Sequence, residues 1–200
     1  MMLVNEIFLS LQGEGYHSGT PAVFVRFSGC NLHCPFCDTR HASGTEMTEE
    51  EIADAVKRLI PHASFPIPLL VFTGGEPALQ LTPSLVASAK AAGFTVCVET
   101  NGTLPLPPNV DWVTLSPKGL WLGAEAEPVL RRADDLKVLF DGGHDPEAYA
   151  HIEATHRFLQ PMDTGESARN AALMRQAADY CLAHPHWRLS LQIHKIIDIR

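Results

Sequence analysis

Strand-length and helix-length patterns alternate along this chain, and that alternation limits its architecture more than any other feature. Apolar or alternating runs occupy residues 4 to 9, 22 to 28, 69 to 73, 94 to 100, 111 to 116, 135 to 140, 156 to 160 and 187 to 193. Segments with a helical period lie between several of them. In the clearest, Thr48 is placed to cap a helix with Glu51 three positions on, Ile52, Val56, Leu59 and Ile60 share one face, and Pro61 stops the run. Leu85, Val86, Ala89 and Ala92, closed by Gly93, predict a second helix, and Met174, Ala178 and Cys181, closed near Pro185, a third. Crossover helices imply a mainly parallel sheet, and right-handed crossovers curl that sheet toward a barrel. A complete eightfold barrel takes about 250 residues, whereas this chain has 200. The expected fold is therefore α/β, a shortened, open partial (β/α) barrel of about six mainly parallel strands. With no linker, repeat or low-complexity tract to divide it, residues 1–200 are read as one domain.

Composition narrows the function. With 46% hydrophobic and 19% charged residues the chain is an ordinary globular one, which excludes disorder and fibrous repeats. Fifteen Lys and Arg against 23 Asp and Glu leave a formal charge of −8, which argues against holding nucleic acid through a general field. No apolar run reaches the ~18–20 residues that cross a bilayer, and Asn5 and Glu6 interrupt an opening that carries no basic leader. The expectation is a cytoplasmic protein with no membrane or nucleic-acid partner.

Strand ends carry a second message. In the run AVFVRFSG, Ala22, Phe24, Arg26 and Ser28 fall on one face and Val23, Val25 and Phe27 on the other. Other runs turn polar as they finish, at Thr73, at Glu99 and Thr100, at Ser116 and at Gln160. A single strand can become polar merely because it surfaces. Several doing so at their C-terminal ends point to a site there, where parallel α/β folds place their chemistry.

Of five cysteines, three crowd into SGCNLHCPFCDT, where Cys30, Cys34 and Cys37 form C-x3-C-x2-C in a loop after a strand. This arrangement suits reduced thiols acting as metal ligands. Zinc would need a fourth ligand, for which His33, Asp38 and His41 are available. An iron–sulfur cubane held by three thiolates would instead keep one iron free to bind and activate a ligand. Cys97 and Cys181 fit the apolar faces of a strand and a helix and are read as core packing.

The three-cysteine motif, with Phe36 just before the last cysteine, resembles the radical S-adenosylmethionine superfamily, and TGGEP at residues 73 to 77, directly after LLVF, strengthens the likeness. A closer resemblance spans nearly the whole chain. EIFLSLQGEGYHSGTPAVFVRFSGCNLHCPFCDT, VETNG, LSPKG, LQPMD and WRLSLQIHK are together similar to the 7-carboxy-7-deazaguanine synthases of the pathway to queuosine and other deazapurines. That resemblance implies a 4Fe–4S cluster on Cys30, Cys34 and Cys37, S-adenosylmethionine, and Mg2+. It also implies ring contraction of 6-carboxy-5,6,7,8-tetrahydropterin to 7-carboxy-7-deazaguanine, with loss of ammonia, begun by a 5'-deoxyadenosyl radical.

Site residues follow from the same resemblance. Leu11, Gln12 and Gly13 would contact the pterin with Glu14 nearby, Thr73 and Glu99 would face it, and Gln12, Glu14 and Glu99 are the candidate catalytic groups. Arg26 could grip the substrate carboxylate with two prongs, the alternative being a surface ion pair. Thr39 would hold Mg2+, which tolerates few protein oxygens. Phe36, Cys37, Asp38, Gly75, Ser116, Pro117, Lys118, Gln160, Pro161, Met162 and Asp163 would bind S-adenosylmethionine. The cluster loop is placed at residues 28–40, and the segment 187–200 would close over the substrate, bringing the carboxylate of Arg200 to the pterin and His194 close by. A homodimer and a flavodoxin-type electron donor are further implications. A glycyl-radical activating enzyme would share the cysteine spacing but gives no reason for LQGE, Arg26 and Thr39, and a zinc-stabilised binding module would carry no catalysis.

Overall fold

In the computed structural model, which describes residues 1–60 and 69–200, one sheet organises the chain. Its strands are β1 (Met2–Leu11), β2 (Pro21–Phe27), β3 (Thr45–Met47), β4 (Leu69–Gly74), β5 (Thr95–Thr100), β6 (Trp112–Leu115), β7 (Arg132–Phe140), β8 (Glu153–Pro161) and β9 (Arg188–Leu189). Five helices accompany them: α1 (Glu49–Arg58), α2 (Pro83–Ala91), α3 (Gly119–Leu122), α4 (Ser167–Ala183) and α5 (Ile193–Ile196). The strand order is β3-β1-β2-β4-β5-β6-β7-β8-β9. Strands β2 and β4 to β9 run parallel in sequence order, while β1 is antiparallel to both β2 and β3. The order ends in β3 and β9, so the sheet is open, with seven parallel strands in place of the six or so expected.

Local signals explain most of these elements. Thr48 and Glu51 complete the reciprocal cap of α1, with Ile52 and Val56 buried. The expected stop at Pro61 lies outside the described residues. Thr82 caps α2 through its hydroxyl, Pro83 opens it, and Gly93 at φ 88° follows its end. Two expectations need correction, and one strand, β3, is not among those expected. The run 187 to 193 yields only the short β9, because the chain turns at Ser190 to hydrogen-bond Leu159 and then enters α5. β3 has three residues and a charged centre, too short to show a period. In α4 the buried positions are Leu173 and Ala177, one residue before the expected face, and Met174 is exposed.

Alternation sorts the side chains by face. Val23, Val25, Phe27, Leu70, Phe72, Val96 and Val98 meet α1 and α2 on the outer face, and Leu136, Val138 and Leu159 meet α4. On the concave face the registers Phe24↔Val71 and Val71↔Cys97 stack an apolar patch near the N-terminal strand ends, completed by Phe8, Ala22, Leu69 and Trp112. Two residues on, the next layer is polar, with Arg26 paired to Thr73. The loop joining β1 to β2 settles on this face, where Tyr16 stacks on His156 at 4.4 Å and Trp112 at 5.1 Å. The concave face thus has an apolar floor and a charged rim.

Candidate active site

The cysteine loop leaves β2 and is clamped by the segment after β4. A Cβ on Gly74, whose φ is 126°, would stand 2.2 Å from the Phe27 carbonyl oxygen, and one on Gly75 would stand 1.8 Å from that of Gly29. Only glycine allows this approach, which lets the Gly75 amide donate to Phe27 (3.0 Å) and the Glu76 amide to Gly29 (2.9 Å). Glu76 is fully buried and accepts from Thr100 Oγ1 (2.7 Å), the Ala78 amide (2.9 Å) and the Asn101 amide (2.8 Å). Burial pushes its carboxyl upward even against these donors. Asn101 Nδ2 then donates to Asn31 Oδ1 at 3.1 Å, inside the cysteine loop. Sequence reading singled out Gly75 but not Glu76 or Asn101, although both stand in motifs it quoted.

Above the polar rim opens a cavity of about 550 Å³. Every residue proposed for the cluster, Mg2+, S-adenosylmethionine or the pterin lines it except Pro117, which is buried beside it, whereas His33 and His41, the zinc alternatives, do not. Cys30, Cys34 and Cys37 are free thiols on one wall. Among the described residues no three His, Cys, Asp or Glu side chains gather around one point as a single ion would need. A cubane asks for a different arrangement, each thiolate meeting its own iron corner, and three thiols on one loop with no fourth convergent ligand fit that donor set better than a closed zinc site. Phe36 packs edge-on to Trp121 at 5.4 Å. Lys118, which lines the same cavity, donates to the carbonyl and hydroxyl of Ser116 (2.6 and 2.7 Å), both neutral. Burial pulls its ammonium down to about 8, with Lys137 adding to the effect. A half-buried cation whose hydrogen-bond partners are neutral suits an anionic ligand.

The opposite wall is a network around Glu99. Gln12 Nε2 donates to its Oε1 (3.0 Å) and Thr73 Oγ1 to its Oε2 (3.1 Å). Lys137, on β7 and absent from the sequence-based list, stands 3.9 Å from Glu99 Oε1 and forms an ion pair with Glu14. Gln192 Nε2 bridges Glu14 (2.9 Å) and Asp38 (3.0 Å), and Lys195 Nζ bridges Asp38 (2.7 Å) and Asp163 (2.8 Å). These contacts seat the C-terminal segment at the cavity, against Gly13, where a Cβ would stand 2.2 Å from His194 Nδ1. At the far end Glu6 takes both Arg26 Nε (2.9 Å) and Arg200 Nη2 (3.1 Å), so two guanidiniums share one carboxylate. The Arg200 main-chain oxygen accepts from Ser10 Oγ. Leu11, Thr39, Met162 and Pro161 complete the lining, and Gln160 Oε1 is fixed by Ser190 Oγ at 3.1 Å.

A parallel sheet with a three-cysteine loop after one strand and a glycine clamp after the next defines the class: residues 24–120 match the model of the Radical SAM superfamily, whose members carry a 4Fe–4S cluster and S-adenosylmethionine. Curated relatives are 7-carboxy-7-deazaguanine synthases, among them that of Bacteroides thetaiotaomicron, 50% identical over 100% of both chains, and that of Bordetella pertussis, 45% identical over 98% of both. A crystal structure of QueE from Escherichia coli superposes with a TM-score of 0.77 at 29% identity, covering 96% of this chain and 94% of that one. The chain belongs to the 7-carboxy-7-deazaguanine synthase family.

Proposed function

We propose that this protein contracts 6-carboxy-5,6,7,8-tetrahydropterin to 7-carboxy-7-deazaguanine with release of ammonia. The observation that carries the reading is one cavity that joins a three-thiol loop to a wall of fixed polar groups and to an end where Arg26 and Arg200 meet Glu6. Cys30, Cys34 and Cys37 would hold the cluster, while Phe36, Asp38, Gly75, Ser116, Pro117, Lys118 and residues 160–163 would hold S-adenosylmethionine. When bound, this pair supplies hydrogen-atom abstraction from a carbon that acid or base cannot activate. Lys118 would balance the cofactor carboxylate. Gln12, Thr73 and Glu99 offer donors and acceptors to a flat, amide-rich ring, with Leu11 and Gly13 beside them. Arg26 would take the substrate carboxylate, Thr39 would share a Mg2+ with it, and the carboxylate of Arg200 would hydrogen-bond the pterin.

The rigid wall matters because a radical reacts with whichever hydrogen it reaches, so selectivity comes from position. On this reading the 200 residues work as one domain in the cytoplasm, the segment 187–200 closes over the pterin, and the enzyme is a homodimer reduced by a flavodoxin-type donor. Among the described residues no helix is long and apolar enough to cross a membrane. The test is anaerobic turnover of the pterin with reductant and S-adenosylmethionine, followed by mass spectrometry. Product should form, Mg2+ should raise the rate, and Thr39→Ala should blunt that response. No product sinks the reading, and a rate indifferent to chelator removes the metal from it.

A further inference from the structure

Lys137 has no part in the reading above, yet it sits at the base of the polar wall. Its side chain is 7% exposed on the concave face of β7, between Asp135 and Leu139. A lysine buried this far is costly without a partner. Here Glu14 pairs with it from the loop after β1 and Glu99 faces it from β5, with Asp135 on its own strand and Lys118 in the cavity lining as the other charges in range. Burial works against its charge, but Glu14 and Glu99 outweigh burial and hold the ammonium above its ordinary range. For Glu14 burial works upward, while the charge and hydrogen bond of Lys137, the Gln192 amide and His194 bring the carboxyl below its usual value. Each of the pair keeps the other ionised.

The consequence reaches Gln12. Glu99 Oε1 accepts from Gln12 Nε2 at 3.0 Å and the Gln12 carbonyl accepts from the Glu14 amide at 3.2 Å, so the Gln12 amide is held from both ends by the two carboxylate residues that face Lys137. We infer that Lys137 is a positioning residue of this site: acting through Glu14 and Glu99, it fixes the orientation of the polar wall that the substrate ring meets. The inference rests on the proposed function.

The test compares Lys137→Met and Lys137→Arg in the reconstituted full-length enzyme. Lys137→Met should raise KM for the pterin about tenfold or more with a smaller fall in kcat, because a loosened wall loses binding first. It should also move the acid limb of kcat/KM upward in pH, since Glu14 then keeps its burial but loses its cation and takes up a proton sooner. Lys137→Arg should recover most of both. Urea denaturation of substrate-free wild type, Lys137→Met, Glu14→Gln and the double variant supplies a second readout: the double variant should be more stable than Lys137→Met, as the stranded carboxylate is gone. Additive stabilities, or an unmoved KM and acid limb, overturn the inference. A wild type that does not convert the pterin overturns the proposed function instead, and the stability cycle still decides the Lys137–Glu14 pairing.

Discussion

Lys118 illustrates how a single half-buried group trades stability for binding. Its ammonium is pulled down to about 8 from an ordinary value of 10.5, chiefly by burial, and its hydrogen-bond partners are the neutral oxygens of Ser116. Between those two values the unfolded chain binds more protons than the folded one, so this group's contribution to stability rises with pH across the window and its penalty is complete below about pH 8. Lys118→Met should therefore stabilise the cofactor-free protein near pH 7, and its advantage over wild type should shrink toward about pH 10, as read by urea denaturation at both. The same variant should bind S-adenosylmethionine poorly. An advantage that does not change with pH would place the lysine in a less buried state than described. Glu76 shows the opposite design, a buried acid whose two oxygens are occupied by Thr100, Ala78 and Asn101. It works as a structural tie between the TGGEP and VETNG segments.

At the scale of elements, the C-terminal segment depends most on its contacts. Helix α5 has four residues, far below the length at which an isolated helix persists. It is held instead by Lys195 between Asp38 and Asp163, by Gln192 between Glu14 and Asp38, and by the Ile193 amide on the Gly13 carbonyl (3.1 Å). Lys195, with help from the Gly165 amide and Asn170, keeps the Asp163 carboxyl at about 2. Lys195→Met removes two partly buried charge-assisted bonds, of order 1–2 kcal/mol together, so amide exchange in 193–199 should quicken about tenfold while β7 stays protected. Mass-resolved hydrogen exchange reads this directly, and equal protection in both proteins would assign the hold on α5 to Gln192 and Gly13 instead.

For the whole molecule, the sheet separates two kinds of cysteine, and a paired experiment exposes the division. Cys97 is buried on the apolar floor with Phe24, Val71 and Trp112 about it, and burial pushes its thiol up to about 12. Cys97→Ala should keep full iron content and cost about 1 kcal/mol, whereas Cys34→Ala should lose iron and cofactor cleavage. Iron assay and denaturation of the two variants check both halves. The cysteine spacing, the glycine clamp, the capping of α1 and the polar ends of β4, β5, β6 and β8 are written locally, because each depends on residues within one turn or one strand of each other. So the sequence by itself determined the class of fold, the metal loop and most of the cavity lining. It did not determine Lys137, whose partner Glu14 lies 123 positions away, nor the bridge from Gln192 to Glu14 across 178. Nor did it show that Gly13 is a seat for His194, since the sequence assigns that glycine to the pterin and gives His194 no partner. Those pairings depend on strand order and register, which decide which side chains stand at one height on one face, and on where a chain end comes to rest. Packing between distant segments sets both, and no local preference encodes it.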